Sequence, residues 1–393
     1  MRLLLLTDDY LPHAGGSRVY CHNLLLYLDD AEPLVLTRGR AGDRDFDREQ
    51  PYRILRRRLE EAAWLRPVRL QFLPIYWGLF RSGLGAMLRF RPGVVAAGEV
   101  VPTGPVAALL AALFRRPLLL FTHAEAPATL SRTRWQSRLA RWVCRRARRI
   151  VVSSGHARDL LGELWHVPEE KIEVLIPGVG EEHLDETYLA KPCADPSRPS
   201  RILSVGRLVA RKGHSAVLEA LPVLLERFPD LEYAIVGEGP LEGDLRQAVE
   251  RLRLANHVRF MGRLEPHDLL REYARSDCFV LPNLDDPATG DTEGFGIVFI
   301  EAAAHGLPVI GGRTQGTEEA ILDGKTGLRV DGMNREAVAG AVARVLGDPA
   351  LAQAFGAEGR AFAETSLRWP ARSRRFGQML EQIARAARRG KTD

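Results

Sequence analysis

The sequence predicts an α/β fold built as two parallel-sheet domains of similar size that face each other across a cleft. Three observations carry the prediction. Short apolar runs alternate with longer helix-period segments along the whole chain, which is the rhythm of parallel sheets covered by helices on both faces. The rhythm breaks once, between about Gly178 and Ser200, where Pro192, Pro196, Pro199 and several acids gather. Gly-rich loops follow strand candidates in both halves, and ligands of open parallel sheets bind at the carboxyl ends of the strands.

In the first half, strands are expected at Leu3–Leu6, Leu34–Thr37, Val94–Ala97, Leu118–Phe121, Ile150–Ser153 and Val174–Ile176. The second half repeats the pattern at Ile202–Val205, Tyr233–Val236, Val258–Phe260, Cys278–Leu281, Val309–Ile310 and Leu328–Val330. Each is a short apolar run, as a strand buried on both faces requires. The stretch from Gly178 to Ser200 reads as the linker. The tail from Leu367 to Arg389 has the period of a basic amphipathic helix.

The chain has 393 residues, 46 % of them hydrophobic, and a net charge of +5, which suits two domains with a core each. Cys21, Cys144, Cys193 and Cys278 lie far apart, the pattern of reduced thiols rather than a disulfide framework or a zinc site. Met1 to Leu6 is too short for a signal peptide, because Asp8 and Asp9 follow at once. Val106 to Phe114 is too short to span a bilayer. The expected location is cytoplasmic, with peripheral contact at the inner face of the cell membrane as an option.

That option comes from the charge distribution. Residues 51–150 hold nineteen arginines against four acids, Glu60, Glu61, Glu99 and Glu125. Arginines of residues 53–91 interleave with Trp64, Phe72, Tyr76, Trp77, Phe80 and Phe90, and a second cluster from Arg132 to Arg149 includes Trp135 and Trp142. Basic helices with aromatic anchors suit an anionic membrane surface. Nothing else in the chain has the form of a nucleic-acid module, so no nucleic-acid partner is expected.

The most informative stretch is Glu293-Gly-Phe-Gly-Ile-Val-Phe-Ile-Glu301. Two carboxylates stand eight positions apart, the first on a Gly-rich loop and the second in an apolar run expected to be helical. A helix rises about 1.5 Å per residue, so the pair would span roughly 12 Å, the reach from the sugar to the ribose of a nucleotide-sugar. Glu301 suits the two hydroxyls of a ribose and Glu293 a hydroxyl of the sugar. Gly294 and Gly296 allow backbone N–H groups close to an anionic ligand. Upstream, Gly206-Arg207-Leu-Val-Ala-Arg-Lys212-Gly213 follows a strand and precedes a helix. Arg207 and Lys212 bring fixed cationic charge to a diphosphate. Asp43-Arg-Asp45-Phe-Asp47 has the spacing of a metal-binding acid pair, but it sits among opposite charges and reads as a solvated loop. No metal and no cofactor are expected, the nucleotide-sugar being a substrate.

These motifs resemble the GT-B glycosyltransferases of family 4, also described as glycosyl transferases group 1. The resemblance covers essentially the whole chain. Residues 201–330 carry it most strongly, through Gly-Arg-Leu-x-x-x-Lys-Gly, Val-Gly-Glu-Gly-Pro, Glu-Gly-Phe-Gly with its second Glu, and Gly306-Leu-Pro-Val-Ile. In the first half, Tyr10-Leu-Pro-His-Ala-Gly-Gly-Ser is similar to the opening Gly-Gly loop and Phe121-Thr-His-Ala-Glu to the histidine loop. Two segments depart from the family pattern. Glu318 occupies a site where a proline is usual, and Pro177-Gly-Val stands where Asn-Gly-Val is common.

The resemblance implies a retaining, metal-independent hexosyltransferase that moves a sugar from a UDP- or GDP-sugar to an acceptor hydroxyl on a carbohydrate or lipid-linked saccharide, in cell-surface polysaccharide or glycolipid synthesis. It implies Rossmann-like domains at 1–185, on the acceptor side, and 186–369, on the nucleotide-sugar side, with a C-terminal helix at 370–393 packing back on the first. By the same analogy Arg207 and Lys212 neutralise the leaving diphosphate and Glu301 binds ribose. Glu293 and the Phe295 and Gly296 backbone hold the donor sugar, and His123 contacts it from the first domain. Gly15 and Gly16 back the phosphate and acceptor side. Gly206 and Gly237 belong to the donor loops, and Gly262-Arg263 lies near the base. A sugar-nucleotide epimerase is the alternative on this architecture. An NAD-type site is disfavoured, because Gly237-Glu-Gly239 continues as Pro240-Leu-Glu-Gly243 and fails the dinucleotide fingerprint.

Overall fold

A computed structural model describes the chain apart from residues 14, 41, 58–72, 191–197, 287–291 and 390–393. Trp64, Phe72, Pro192, Cys193 and Pro196 lie outside the described residues. The chain forms two compact units, Met1–Ile176 with Trp369–Asp393, and Pro177–Arg368. Each is a doubly wound, Rossmann-like unit around a wholly parallel sheet.

Unit 1 contains a seven-stranded sheet in the order β3-β2-β1-β4-β5-β6-β7. Its strands are β1 (Arg2–Leu6), β2 (Glu32–Arg38), β3 (Arg53–Arg57), β4 (Val94–Ala97), β5 (Leu118–Thr122), β6 (Arg149–Val152) and β7 (Ile172–Val174). Successive side chains of a strand point to opposite faces, and β1 shows the consequence. Leu4 and Leu6 pack into one core with Leu79, Leu110 and Val143, from α3 (Leu73–Phe90), α4 (Thr103–Leu113) and α6 (Arg134–Arg146). Leu3 and Leu5 pack into the other with Tyr20 and Leu24 of α1 (Gly16–Leu26) and Trp369 and Phe376 of α14 (Trp369–Arg389). The terminal helix thus completes the first unit's second face, its apolar residues inward and Arg374, Arg375 and Arg385 exposed.

Unit 2 contains a six-stranded sheet in the order β10-β9-β8-β11-β12-β13. Its strands are β8 (Arg201–Val205), β9 (Glu232–Val236), β10 (Val258–Gly262), β11 (Cys278–Leu281), β12 (Val309–Gly312) and β13 (Gly327–Val330). One core joins Ile202, Tyr233 and Val280 to Val217 and Leu221 of α8 (His214–Arg227), Leu245 of α9 (Glu242–Arg251) and Val338 and Val342 of α12 (Arg335–Leu346). On the opposite face Phe279 meets Phe299 of α11 (Ile297–Ala304) edge to face at 5.7 Å. The unit opens with two single 3-10 turns, Glu181–Leu184 and Glu186–Tyr188.

Several expectations need correction. Strand β3 falls in the arginine-rich stretch that was not expected to form a strand. The strand expected at Val174–Ile176 lies at Ile172–Val174. Asp43, Asp45 and Asp47 are on a helix, α2 (Asp43–Glu49), not in a solvated loop. Asp43 is 2 % exposed and is held by His13 at 2.9 Å and Arg56 at 3.0 Å. Asp47 accepts from Arg56 at 2.8 Å. Only Asp45 faces solvent, so the three do not converge on one point. Among the described aromatics of the basic stretch, Phe90 is in the core and Tyr76, Phe80 and Trp142 pack against it, whereas Trp77 and Trp135 are exposed. Among the described residues no helix is long and apolar enough to cross a membrane, and no group of His, Cys, Asp and Glu is arranged to hold a metal ion. Cys21, Cys144 and Cys278 are buried free thiols.

Candidate functional site

In unit 2 the strand order reverses between β8 and β11, and loops leaving adjacent strands diverge there. Such a switch point opens a crevice at the carboxyl edge of the sheet. The loop after β8 supplies Gly206, Arg207, Arg211 and Lys212; the loop after β11 supplies Asn283 and Glu293. The chain can turn so tightly here because Gly213, with φ +72°, caps α8 in a left-handed conformation, and a Cβ on it would run into the Pro282 carbonyl of the other loop.

Glu293 is the hub. Its Oε2 accepts from Lys212 Nζ at 2.6 Å, Asn283 Nδ2 at 2.6 Å and Arg211 at 3.0 Å. Lys212 and Glu293 are 8 % and 7 % exposed. Burial alone would raise the Glu293 pKa; Lys212 and then Arg211 outweigh it and hold the carboxyl below its ordinary value. The Gly294 N–H also donates to this carboxylate. Gly316 is the support beneath it, since a Cβ there would collide with the Glu293 carbonyl. The result is a buried cluster in which Lys212 and Arg211 share one carboxylate. It places cationic groups at a strand switch point, where an anionic ligand is favoured. Arg207 is exposed and makes no side-chain ion pair with a described residue.

Helix α11 starts at Ile297 with Gly296 as its cap, so the helical rise covers only the last part of the span from Glu293 to Glu301. Glu301 Oε2 accepts from Tyr273 Oη at 3.1 Å, on α10 (Pro266–Ala274). Its Oε1 lies 3.9 Å from His183 Nε2. Burial pushes the Glu301 pKa up to about 7, opposed by the Tyr273 bond. A carboxyl with a folded-state pKa above its unfolded value binds an extra proton when folded, so stability falls as pH rises from about 4.5 to about 7. Glu301→Gln is therefore expected to be more stable than wild type at pH 8, by on the order of 1 kcal/mol or more, and no more stable at pH 4. Melting curves at the two pH values check this. A carboxylate kept at such a cost is characteristic of a binding position.

The other expected donor-side residues fall on the same edge. Gly206, Gly237 and Arg263 follow β8, β9 and β10, and Gly262 ends β10. Gly294 and Phe295 lead into α11, and the Phe295 side chain is buried.

His123, Gly15 and Gly16 belong to unit 1. His123 follows β5, and its Nδ1 meets Ser153 Oγ, just after β6, at 3.0 Å. Tyr20 of α1, the helix that Gly16 opens, packs edge-on against the imidazole at 5.5 Å. Burial lowers the His123 pKa to about 4, so the ring is neutral at physiological pH. Its Nε2 is buried without a hydrogen-bond partner among the described residues. A buried, unsatisfied ring nitrogen costs about 1–3 kcal/mol and marks a place where a ligand polar group fits.

Sequence reasoning missed four residues of the unit 2 edge. Arg211 stands next to Lys212 in the same loop, and that adjacency was the available signal. Asn283 is the second residue past β11, a position a strand-end search finds. Tyr273 and His183 left no signal, because their place beside Glu301 follows from tertiary packing alone.

Comparison with known proteins gives a consistent picture. Residues 14–183 match the family described as Glycosyltransferase Family 4, and residues 190–362 match Glycosyl transferases group 1. A GDP-mannose-dependent alpha-(1-6)-phosphatidylinositol monomannoside mannosyltransferase of Mycolicibacterium smegmatis is 40 % identical over 179 residues, 46 % of this chain and 47 % of that protein. This chain thus spans about half the length of that curated relative. A glycogen synthase of Mycobacterium tuberculosis is 29 % identical over 320 residues, 80 % of this chain and 73 % of that one. Among solved structures, Anabaena HepE in complex with UDP-glucose superposes with a TM-score of 0.77 at 18 % identity, covering 97 % of this chain and 100 % of that one.

Proposed function

The chain belongs to the family 4, or group 1, glycosyltransferases, and from that premise we propose that it transfers a hexose from a GDP- or UDP-sugar to a hydroxyl of a carbohydrate or lipid-linked acceptor. The observation that carries this reading is the pairing of a cation cluster at the unit 2 switch point with a separate buried carboxylate on α11. Departure of a nucleoside diphosphate leaves charge on phosphate, and preorganised cations stabilise charge where it develops. Lys212 has three N–H donors and points one at Glu293; the others, with exposed Arg207, remain for the diphosphate. Glu301 takes the ribose.

Glu293 has a double role in this proposal. Its Oε2 fixes Lys212, and its other oxygen faces a sugar hydroxyl. His123, in unit 1, offers its Nε2 to a ligand polar group. Transfer proceeds with retention at the anomeric carbon and draws its leaving-group charge from Arg207 and Lys212 rather than from a metal ion. The names of the mannosyltransferase relatives make GDP-mannose the first donor to test and a phosphoinositide glycolipid the first acceptor class. The relatives reported above are transferases, and the epimerase reading has no support among them.

Incubation with GDP-mannose or UDP-glucose, an inositol glycolipid acceptor and excess EDTA tests the proposal. The expected product is a glycosylated acceptor whose new bond keeps the donor's anomeric configuration. Hydrolysis or epimerisation of the donor without transfer would contradict it.

A further inference from the structure

The network behind Glu301 fixes a proton arrangement that the carboxylate alone does not reveal. His305, the residue just past α11, stacks on Tyr273 at 4.8 Å between ring centroids. Its Nδ1 lies 2.8 Å from the Tyr188 carbonyl oxygen. A carbonyl only accepts, so this nitrogen carries the proton. Burial, and then His183, lowers the His305 pKa to about 3, so the ring is neutral and its Nε2 has a lone pair. That Nε2 lies 3.0 Å from His183 Nδ1, which must therefore be the N–H. Burial lowers the His183 pKa as well. A neutral imidazole with its proton on Nδ1 presents a bare lone pair at Nε2.

This lone pair faces Glu301. The 3.9 Å between His183 Nε2 and Glu301 Oε1 is too long for a direct hydrogen bond. Tyr273 occupies the other carboxylate oxygen, and no described group donates to Oε1. With Glu301 ionised, two acceptors thus stand side by side without a donor between them. Adjacent hydroxyls on one ring can give one proton to each. Neither side chain is fully closed off, at 10 % and 17 % exposed, so a ligand can reach both.

We infer that His183 is a second acceptor for the ligand's vicinal diol, taking one ribose hydroxyl while Glu301 takes the other. The inference rests on the nucleotide-sugar reading above. It makes the 3-10 turn Glu181–Leu184 part of the donor site and gives the site a built-in preference for ribose over deoxyribose. A site formed to pair with a hydroxyl penalises a ligand that lacks it, because its own buried polar group is left unpaired.

Calorimetric titration with GDP, 2′-deoxy-GDP and 3′-deoxy-GDP, repeated with the uridine series, tests this. Wild type should bind the ribonucleotide about 10-fold more tightly than each deoxy analogue. His183→Phe should weaken ribonucleotide binding by a similar factor and lose discrimination against one of the two analogues. Glu301→Gln should weaken it independently. Unchanged discrimination in His183→Phe, with Glu301→Gln still weakened, would overturn this inference and leave the donor site standing. Absence of any nucleotide binding by wild type would overturn both.

If His183→Phe does not fold, the wild-type protein still decides the question. The nitrogen resonance of His183 Nε2 should move on adding the ribonucleotide and stay put with the relevant deoxy analogue. A resonance indifferent to bound ribonucleotide would refute the assignment.

Discussion

Lys212→Ala is expected to lower kcat/KM by about 10²–10³-fold, the usual cost of removing one preorganised charge-stabilising group. The protein should nevertheless stay folded. Glu293 keeps Asn283 at 2.6 Å and Arg211 at 3.0 Å, so the buried carboxylate is not abandoned. The loss should fall on kcat more than on KM, because charge on the diphosphate grows as the sugar leaves. Steady-state kinetics, with circular dichroism as a control for folding, check this. Wild-type kinetics in a folded Lys212→Ala protein would remove Lys212 from the mechanism.

Glu293→Gln should show the second large effect, this time on stability. The amide keeps the shape but removes the charge that Lys212 and Arg211 both bond, and breaking a buried pair in this way costs about 3–5 kcal/mol. The pH dependence follows from the depressed pKa of Glu293. A carboxyl whose folded pKa lies below its unfolded value contributes stability that is present above the unfolded pKa, about 4.3. The contribution is lost as pH falls through the folded pKa. The gap between wild type and Glu293→Gln should therefore be full at pH 7 and narrow only as pH falls below about 4.3. Urea unfolding across that range measures it, and a gap independent of pH would mean the carboxylate charge is not what stabilises the cluster.

How much of this could be read from the sequence depended on distance along the chain. Strand β1 was legible because Leu3–Leu6 is continuous and apolar and ends at charged residues. Strand β3 was not: Arg53-Ile-Leu-Arg-Arg57 reads as a basic stretch, and its arginines became compatible with a strand only once Arg56 met Asp43 and Asp47. Those same aspartates, spaced like a metal site, proved to be structural. At the candidate site the single motifs were legible and their pairing was not. Lys212 and Glu293 are 81 positions apart and meet because β8 and β11 are neighbours at the point where the strand order reverses. Nothing in the local pattern fixes that order. His183 is more distant still from any sequence cue, since its role depends on which nitrogen of His305 faces a carbonyl.

One nucleoside diphosphate should lie along the carboxyl edge of the second sheet, with its phosphates at Lys212 and its pentose at Glu301. Diffraction from crystals soaked with GDP-mannose, and in parallel UDP-glucose, tests it most directly. The expected density has a phosphate oxygen within hydrogen-bond reach of Lys212 Nζ and both ribose hydroxyls against Glu301 and His183. Nucleotide bound elsewhere, or reversed so that the base sits at Lys212, would contradict it.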